Sequence, residues 1–123
     1  MDMHKHRIIV AGGRDFDDFW LLHDTLDALT VNMDKADIEI VSGCANGADS
    51  LGELWANEFS IEVVRFQAMW QQYGNGAGPM RNLQMAEYGT HLVAFWDGES
   101  RGTKNMIDLA EQHNLEVRVI RYE

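Results

Sequence analysis

Three times in this sequence an apolar run stops at a glycine-bearing turn and a helical pattern begins beyond it. The turns read Gly12-Gly13-Arg14-Asp15-Phe16, Ser42-Gly43-Cys44-Ala45-Asn46-Gly47-Ala48-Asp49 and Asp97-Gly98-Glu99-Ser100-Arg101-Gly102-Thr103. A strand-to-helix turn of this kind gathers unpaired backbone N–H groups and the positive end of a helix at one place, which suits phosphate or another anion. It also restricts the fold, because strands that alternate with helices pair in parallel through crossover helices.

Five runs read as strands: Arg7–Ala11, Asp37–Val41, Ile61–Phe66, His91–Trp96 and Glu116–Arg121. They are rich in β-branched and aromatic residues. Helical spacing appears between them in Phe19, Leu22, Leu26 and Leu29, in Leu51, Trp55 and Phe59, and in Met106, Ile107 and Ala110. A shorter helix is expected over about 79–87, with Pro79 in its first turn, where a missing N–H costs nothing. The resulting fold is a three-layer, Rossmann-like α/β sandwich over a five-stranded parallel sheet. Polarity orders the strands. Ile8–Ala11 and Leu92–Phe95 carry no charge and suit central positions buried on both faces. Glu62 with Arg65, and Arg118 with Arg121, mark edges. The order 3-2-1-4-5 follows, and it places the three turns side by side at the switch point between strands 1 and 4.

Composition narrows the function. Residues 1–123 read as one domain, since 46% of the residues are hydrophobic and the chain has one Pro and no biased linker. Only the run Met1–His6 is expected to be loosely held. No apolar run has the length of a membrane span, and no signal-peptide core precedes Gly12. Cys44 is the only cysteine, so the expected location is the cytoplasm. The formal net charge of −10 opposes long-range attraction to nucleic acid or an anionic membrane, but not a small anion held locally.

The residue types in the turns carry the site expectation. Gly12 and Gly13 let a ligand approach the backbone, and Arg14 is the charged contact of that loop. There is no GxGxxG fingerprint, and Ser42-Gly43 stands where a ribose-binding acid would end strand 2. Ser42 offers a hydroxyl, and Gly47 and Ala48 keep the second turn close. Asp49 suits either a ribose hydroxyl or the first turn of a helix. Trp70 suits either base stacking or a hydrophobic anchor. Arg81, followed by Asn82, suits a bidentate clamp on phosphate. Gly102-Thr103 at a helix start is a phosphate seat. Asp97 ends a central strand, with Gly98 and Ser100 beside it. No HExxH, GxSxG, P-loop or Cys/His ligand cluster is present, so no metal site is expected.

Taken in order, these residues resemble the SLOG superfamily, the Rossmann-like group that includes the Smf/DprA and Lonely Guy proteins. Within it they resemble the YspA-like branch found in bacteria and phages. The resemblance rests on Gly12–Phe16, on Gly43 with Gly47-Ala48-Asp49 and Trp55-Ala56, and on Ala68 with Trp70. It continues through Ala77-Gly78-Pro79-Met80-Arg81-Asn82 with Met85, and Asp97–Thr103 with Met106. It implies a site for a nucleotide-derived ligand: a nucleoside monophosphate, ADP-ribose, NAD or a signalling nucleotide. No other cofactor is implied, and self-association is expected, since superfamily members often pair and the chain carries four Trp and seven Met.

On this reading the three turns, Arg14, Arg81 and Thr103 hold phosphate, Asp49 and Asp97 hold ribose, and Trp70 or Phe16 stacks on the base. The Lonely Guy enzymes cleave the N-glycosidic bond of nucleoside monophosphates with an Arg and the motif PGGxGTxxE. Arg81 and Gly102-Thr103 match, the PGG is absent, and Met106 stands where the glutamate would be. A thioether supplies no base. Binding is therefore the first reading. The second is an N-glycosidase using Arg81 with Asp97 as its carboxylate, or with Asp49 or Glu99 in that place.

Overall fold

A computed structural model describes residues 5–123. In chain order the elements are β1 (His6–Gly12), α1 (Phe19–Thr30), a 3-10 turn (Lys35–Asp37), β2 (Ile38–Ser42), α2 (Ala48–Glu58) and β3 (Glu62–Arg65). They continue with α3 (Trp70–Tyr73), a second 3-10 turn (Gly74–Gly76), α4 (Ala77–Tyr88), β4 (His91–Trp96), α5 (Arg101–Gln112) and β5 (Glu116–Arg121). All strand pairs are parallel, and the sheet order is β3-β2-β1-β4-β5, as the charge pattern predicts.

The two-residue period of the strands divides the core. On one face Ile8 and Val10 of β1, Ile40 of β2 and Val93 and Phe95 of β4 pack with Leu22 and Leu26 of α1 and Trp55 of α2. On the other face Ile9, Ala11, Val41, Leu92 and Ala94 pack with Met85 of α4 and Met106, Ile107 and Ala110 of α5. β1 and β4 are thus covered on both sides, whereas β3 and β5 contain exposed positions and no fully buried one. Trp55 is fully buried, and its indole N–H donates to Asp27 Oδ1 at 3.1 Å, joining α2 to α1. Burial of a side chain of this size contributes on the order of 3 kcal/mol, and the hydrogen bond spares the N–H an unmet partner.

Two local expectations change. The stretch 67–78 is not a structureless connection: it carries α3 and a 3-10 turn before α4, which begins at Ala77 rather than near Pro79. His6 opens β1 instead of belonging to a loose tail, and residues 1–4 of that expected tail lie outside the described residues. No helix among the described residues is long and apolar enough to cross a membrane.

Candidate functional site

β1 sends the chain into α1 on one face of the sheet, and β4 sends it into α5 on the other. The loops therefore part above the β1–β4 seam, and a cleft of about 720 Å3 opens there. That is within the roughly 300–1,000 Å3 usual for small-molecule sites. The loops after β1 and β2 are locked together. Gly13 N–H donates to Phe95 O at 3.2 Å, and Ala48 N–H donates to Gly13 O at 3.4 Å. Gly47 has φ +80°, and a Cβ there would collide with the Gly13 carbonyl, so only glycine allows the approach. Ala11 and the side chains of Met85 and Met106 line the cleft with apolar surface.

Arg81 and Asp49 face each other across Gly43. A Cβ built on Gly43 would lie 2.8 Å from Arg81 Nη1 and 2.8 Å from Asp49 Oδ2. Arg81 Nη1 donates to the Gly43 carbonyl, and its Nε donates to Asn82 Oδ1 at 3.0 Å. Burial lowers the pKa of Arg81 from its ordinary value, and the like charge of Arg14 adds to that. Asp49 is 6% exposed, and its Oδ2 accepts from Ala45 N–H at 3.3 Å. Desolvation dominates, and its pKa is pushed up to about 6 despite that hydrogen bond and the attraction of Arg81. Asn82 is buried and fully engaged. It accepts from Arg81, and its Nδ2 donates to Gly102 O at 3.3 Å and Asn105 Oδ1 at 2.9 Å. It therefore ties Arg81 to the start of α5.

The α5 end presents donors. Ser100 caps the helix, accepting from Thr103 N–H at 3.4 Å, and its Oγ lies 3.1 Å from Thr103 Oγ1. The N–H groups of Arg101 and Gly102 have no acceptor among the described residues, and both residues line the cleft. A Cβ on Gly102 would meet nothing within 4 Å, so the approach is open. Asp97 has another task. Its Oδ1 accepts from Glu99 N–H and Ser100 N–H, each at 2.8 Å, and these bonds lower its pKa. It shapes the turn that aims α5 at the cleft.

Of the expected site residues, the structure brings Gly12, Gly13, Arg14, Asp49, Trp70, Arg81, Asn82, Asp97, Ser100, Gly102 and Thr103 to the cleft wall. Trp70 is half exposed at its mouth. Gly43 lies on an adjoining smaller cavity. The other five expected residues lie away from the cleft wall. Phe16 is 3% exposed, stacked on Phe95 with centroids 4.6 Å apart, and so belongs to the core, not to a base platform. Ser42 is buried, and its hydroxyl donates to Glu53 Oε2 at 2.6 Å while accepting from Cys44 N–H. Gly47, Ala48 and Gly98 shape loops without lining the cleft.

Two supporting residues were not anticipated. Glu53 anchors Ser42 and is bridged to Arg65 at 2.8 Å. Tyr122 donates to Asp15 Oδ1 at 2.8 Å and packs edge-on against Phe16, closing the first loop from beyond β5. Cys44 sits in the second turn, where burial, and after it the charge of Glu53, raise its thiol pKa. No group of three or more metal-ligating side chains occurs among the described residues.

Comparison with known proteins agrees with this architecture. The model of the YAcAr family, described as the YspA, cpYpsA-related SLOG family, matches residues 6–73. The Gene 61 protein of Mycobacterium phage D29 is 28% identical over 117 residues, covering 90% of this chain and 93% of that protein. The X-ray structure of DNA processing protein A (DprA) from Streptococcus pneumoniae superposes with a TM-score of 0.73 at 16% identity. The match covers 96% of this chain and 50% of DprA, so the chain spans half of that protein's length and shares its fold.

Proposed function

This chain belongs to the YspA, cpYpsA-related SLOG family, and we propose that it binds a nucleotide-derived ligand in the cleft at the carboxyl rim of the sheet. The observation that carries the reading is the convergence of Arg81 and the unpaired amides of Arg101 and Gly102 on one cleft with the buried carboxyl of Asp49. Arg81 and the α5 amides take the phosphate, and Asp49 takes a ribose hydroxyl. Trp70 takes the face of the base. Calorimetry against nucleoside mono- and diphosphates, ADP-ribose, NAD and cyclic nucleotides tests this. Silence from every one of them at millimolar concentration would end it.

A second reading, hydrolysis of an N-glycosidic bond, draws its support from Asp49. Its carboxyl lies in the cleft beside Arg81 with a pKa near 6, so it can hold or release a proton close to neutrality. Asp97 is less suited, because Oδ1 is committed to two amides. Met106 lies at the cleft floor and offers no carboxylate. Release of free base from a nucleotide, abolished in Asp49→Asn and retained in Asp97→Asn, is the expected result of chromatography on this reading.

The formal charge of −10 supports a small ligand over a nucleic-acid partner, although one structural relative is named a DNA processing protein. A gel shift at low salt should show no retardation. The single cysteine and the ligand class support a cytoplasmic location, testable by fractionation. The exposed Met69, Trp70, Tyr73, Met80 and Leu83 on and beside α3 and α4 support self-association, which light scattering checks.

A further inference from the structure

The main cleft does not end at Arg81. A second cavity of about 360 Å3 adjoins it and shares Arg14, Ala45, Trp70 and Arg81 with it. Its own walls include Asn46, Gln67 and Ala68. We propose that this annex holds the second group of a nucleoside diphosphate ester, so that the ligand straddles the Arg14–Arg81 wall with its phosphate bridge between the two chambers.

Three features of the geometry favour this class. First, the residues common to both cavities include Arg14 and Arg81, whose like charges act on each other, and two neighbouring cations suit a doubly charged link. Second, the annex is a separate cavity of about half the main cleft's volume, so it offers room for a second group beyond a ligand held in the main cleft. Third, the walls that belong to the annex alone bring no acid and no further cation: Asn46 and Gln67 offer side-chain amides that donate and accept, which suits the hydroxyls of a sugar or the edge of a base. Ala68, with only a methyl side chain, leaves room in the annex. Trp70 lines both chambers.

The inference rests on the nucleotide reading above, and the experiment separates the two. Calorimetry on the full chain compares AMP and ADP with ADP-ribose and NAD, and UDP with UDP-glucose. In at least one series the diphosphate ester should bind about tenfold or more tightly than the diphosphate. Ala68→Leu, which fills the annex, should remove that advantage and leave ADP or UDP binding unchanged. The double variant Asn46→Ala/Gln67→Ala should lower ester affinity in the same direction with a native melting curve, and it serves if the leucine variant misfolds. Equal affinity for diphosphate and ester, or equal loss for both in the variants, would overturn the two-chamber assignment while leaving nucleotide binding intact. No binding by any of the six probes would overturn this inference, and silence from cyclic nucleotides as well would overturn the nucleotide reading with it.

Discussion

Replacing Asp49 by asparagine should stabilise the fold at pH 8 by up to about 3 kcal/mol and change it little at pH 4. The carboxyl is 6% exposed, and its charged form is supported by the backbone amides of Ala45 and Gly43 and by the attraction of Arg81. Burial outweighs both and raises the pKa from 3.8 to about 6. The folded protein therefore keeps a proton that the unfolded chain releases near pH 3.8. The stabilisation tied to that proton is complete below the unfolded value and is lost as pH rises through 6. Above that, the ionised group opposes folding by about 3 kcal/mol, the free-energy equivalent of the difference between the two pKa values.

Asparagine keeps the shape, and its amide oxygen can still accept from Ala45, but it carries no charge to desolvate. Urea denaturation of both proteins at pH 8 and pH 4 measures the difference, with an unchanged m-value as the control on two-state behaviour. At pH 8 the melting temperature should rise by roughly 10 °C. At pH 4 the gain should shrink below about 1 kcal/mol. An equal gain at both pH values would refute the titration argument. A loss at pH 8 would show that attraction to Arg81 outweighs desolvation.

Arg81→Met removes the charged clamp and should weaken nucleotide binding by on the order of 100-fold in calorimetry, from the loss of charge-assisted bonds worth about 1.5–3 kcal/mol each. Gly43→Ala puts a methyl 2.8 Å from both Arg81 Nη1 and Asp49 Oδ2. It should push those groups apart, lower affinity and cost about 1–3 kcal/mol in denaturation. Tyr122→Phe loses the hydrogen bond to Asp15 at 2.8 Å. About 1 kcal/mol of stability should go with it, and amide exchange should quicken over the first loop relative to the core strands.

The fold was legible because its signals are long-range in consequence but local in sequence. Glu62, Arg65, Arg118 and Arg121 marked the edge strands, and the uncharged runs in β1 and β4 marked the centre. With the order known, the convergence of three turns followed. What failed was the assignment of individual side chains within a turn. Phe16 follows a glycine pair and an aspartate, which marks a loop but not the direction of a ring. The ring turns inward because Phe95 and Tyr122 give it apolar and aromatic contacts. Tyr122 itself lies 107 residues from Asp15, and nothing near it in the chain announces the contact. The short helix α3 was hidden by Gly74 and Gly76, which read as loop although the chain coils through them.

Asp49 and Asp97 show why the chemistry of the site was harder to read than its location. Both are aspartates in glycine-bearing turns, and both were assigned to ribose or catalysis. In the structure they titrate in opposite directions. Asp97 receives two amide N–H groups at 2.8 Å, so its charged form is favoured and its carboxylate is spent on the turn. Asp49 is buried, and desolvation outweighs its backbone hydrogen bonds and Arg81, so its charged form is disfavoured and its proton is held to about pH 6. The difference is one of water access, which neither residue type nor spacing encodes. A group kept at a cost to stability in a cleft is the better candidate for work on a ligand than one whose bonds are already satisfied. If a hydrolytic activity exists in this cleft, its pH profile should therefore follow Asp49, with an inflection near 6 that disappears in Asp49→Asn and persists in Asp97→Asn.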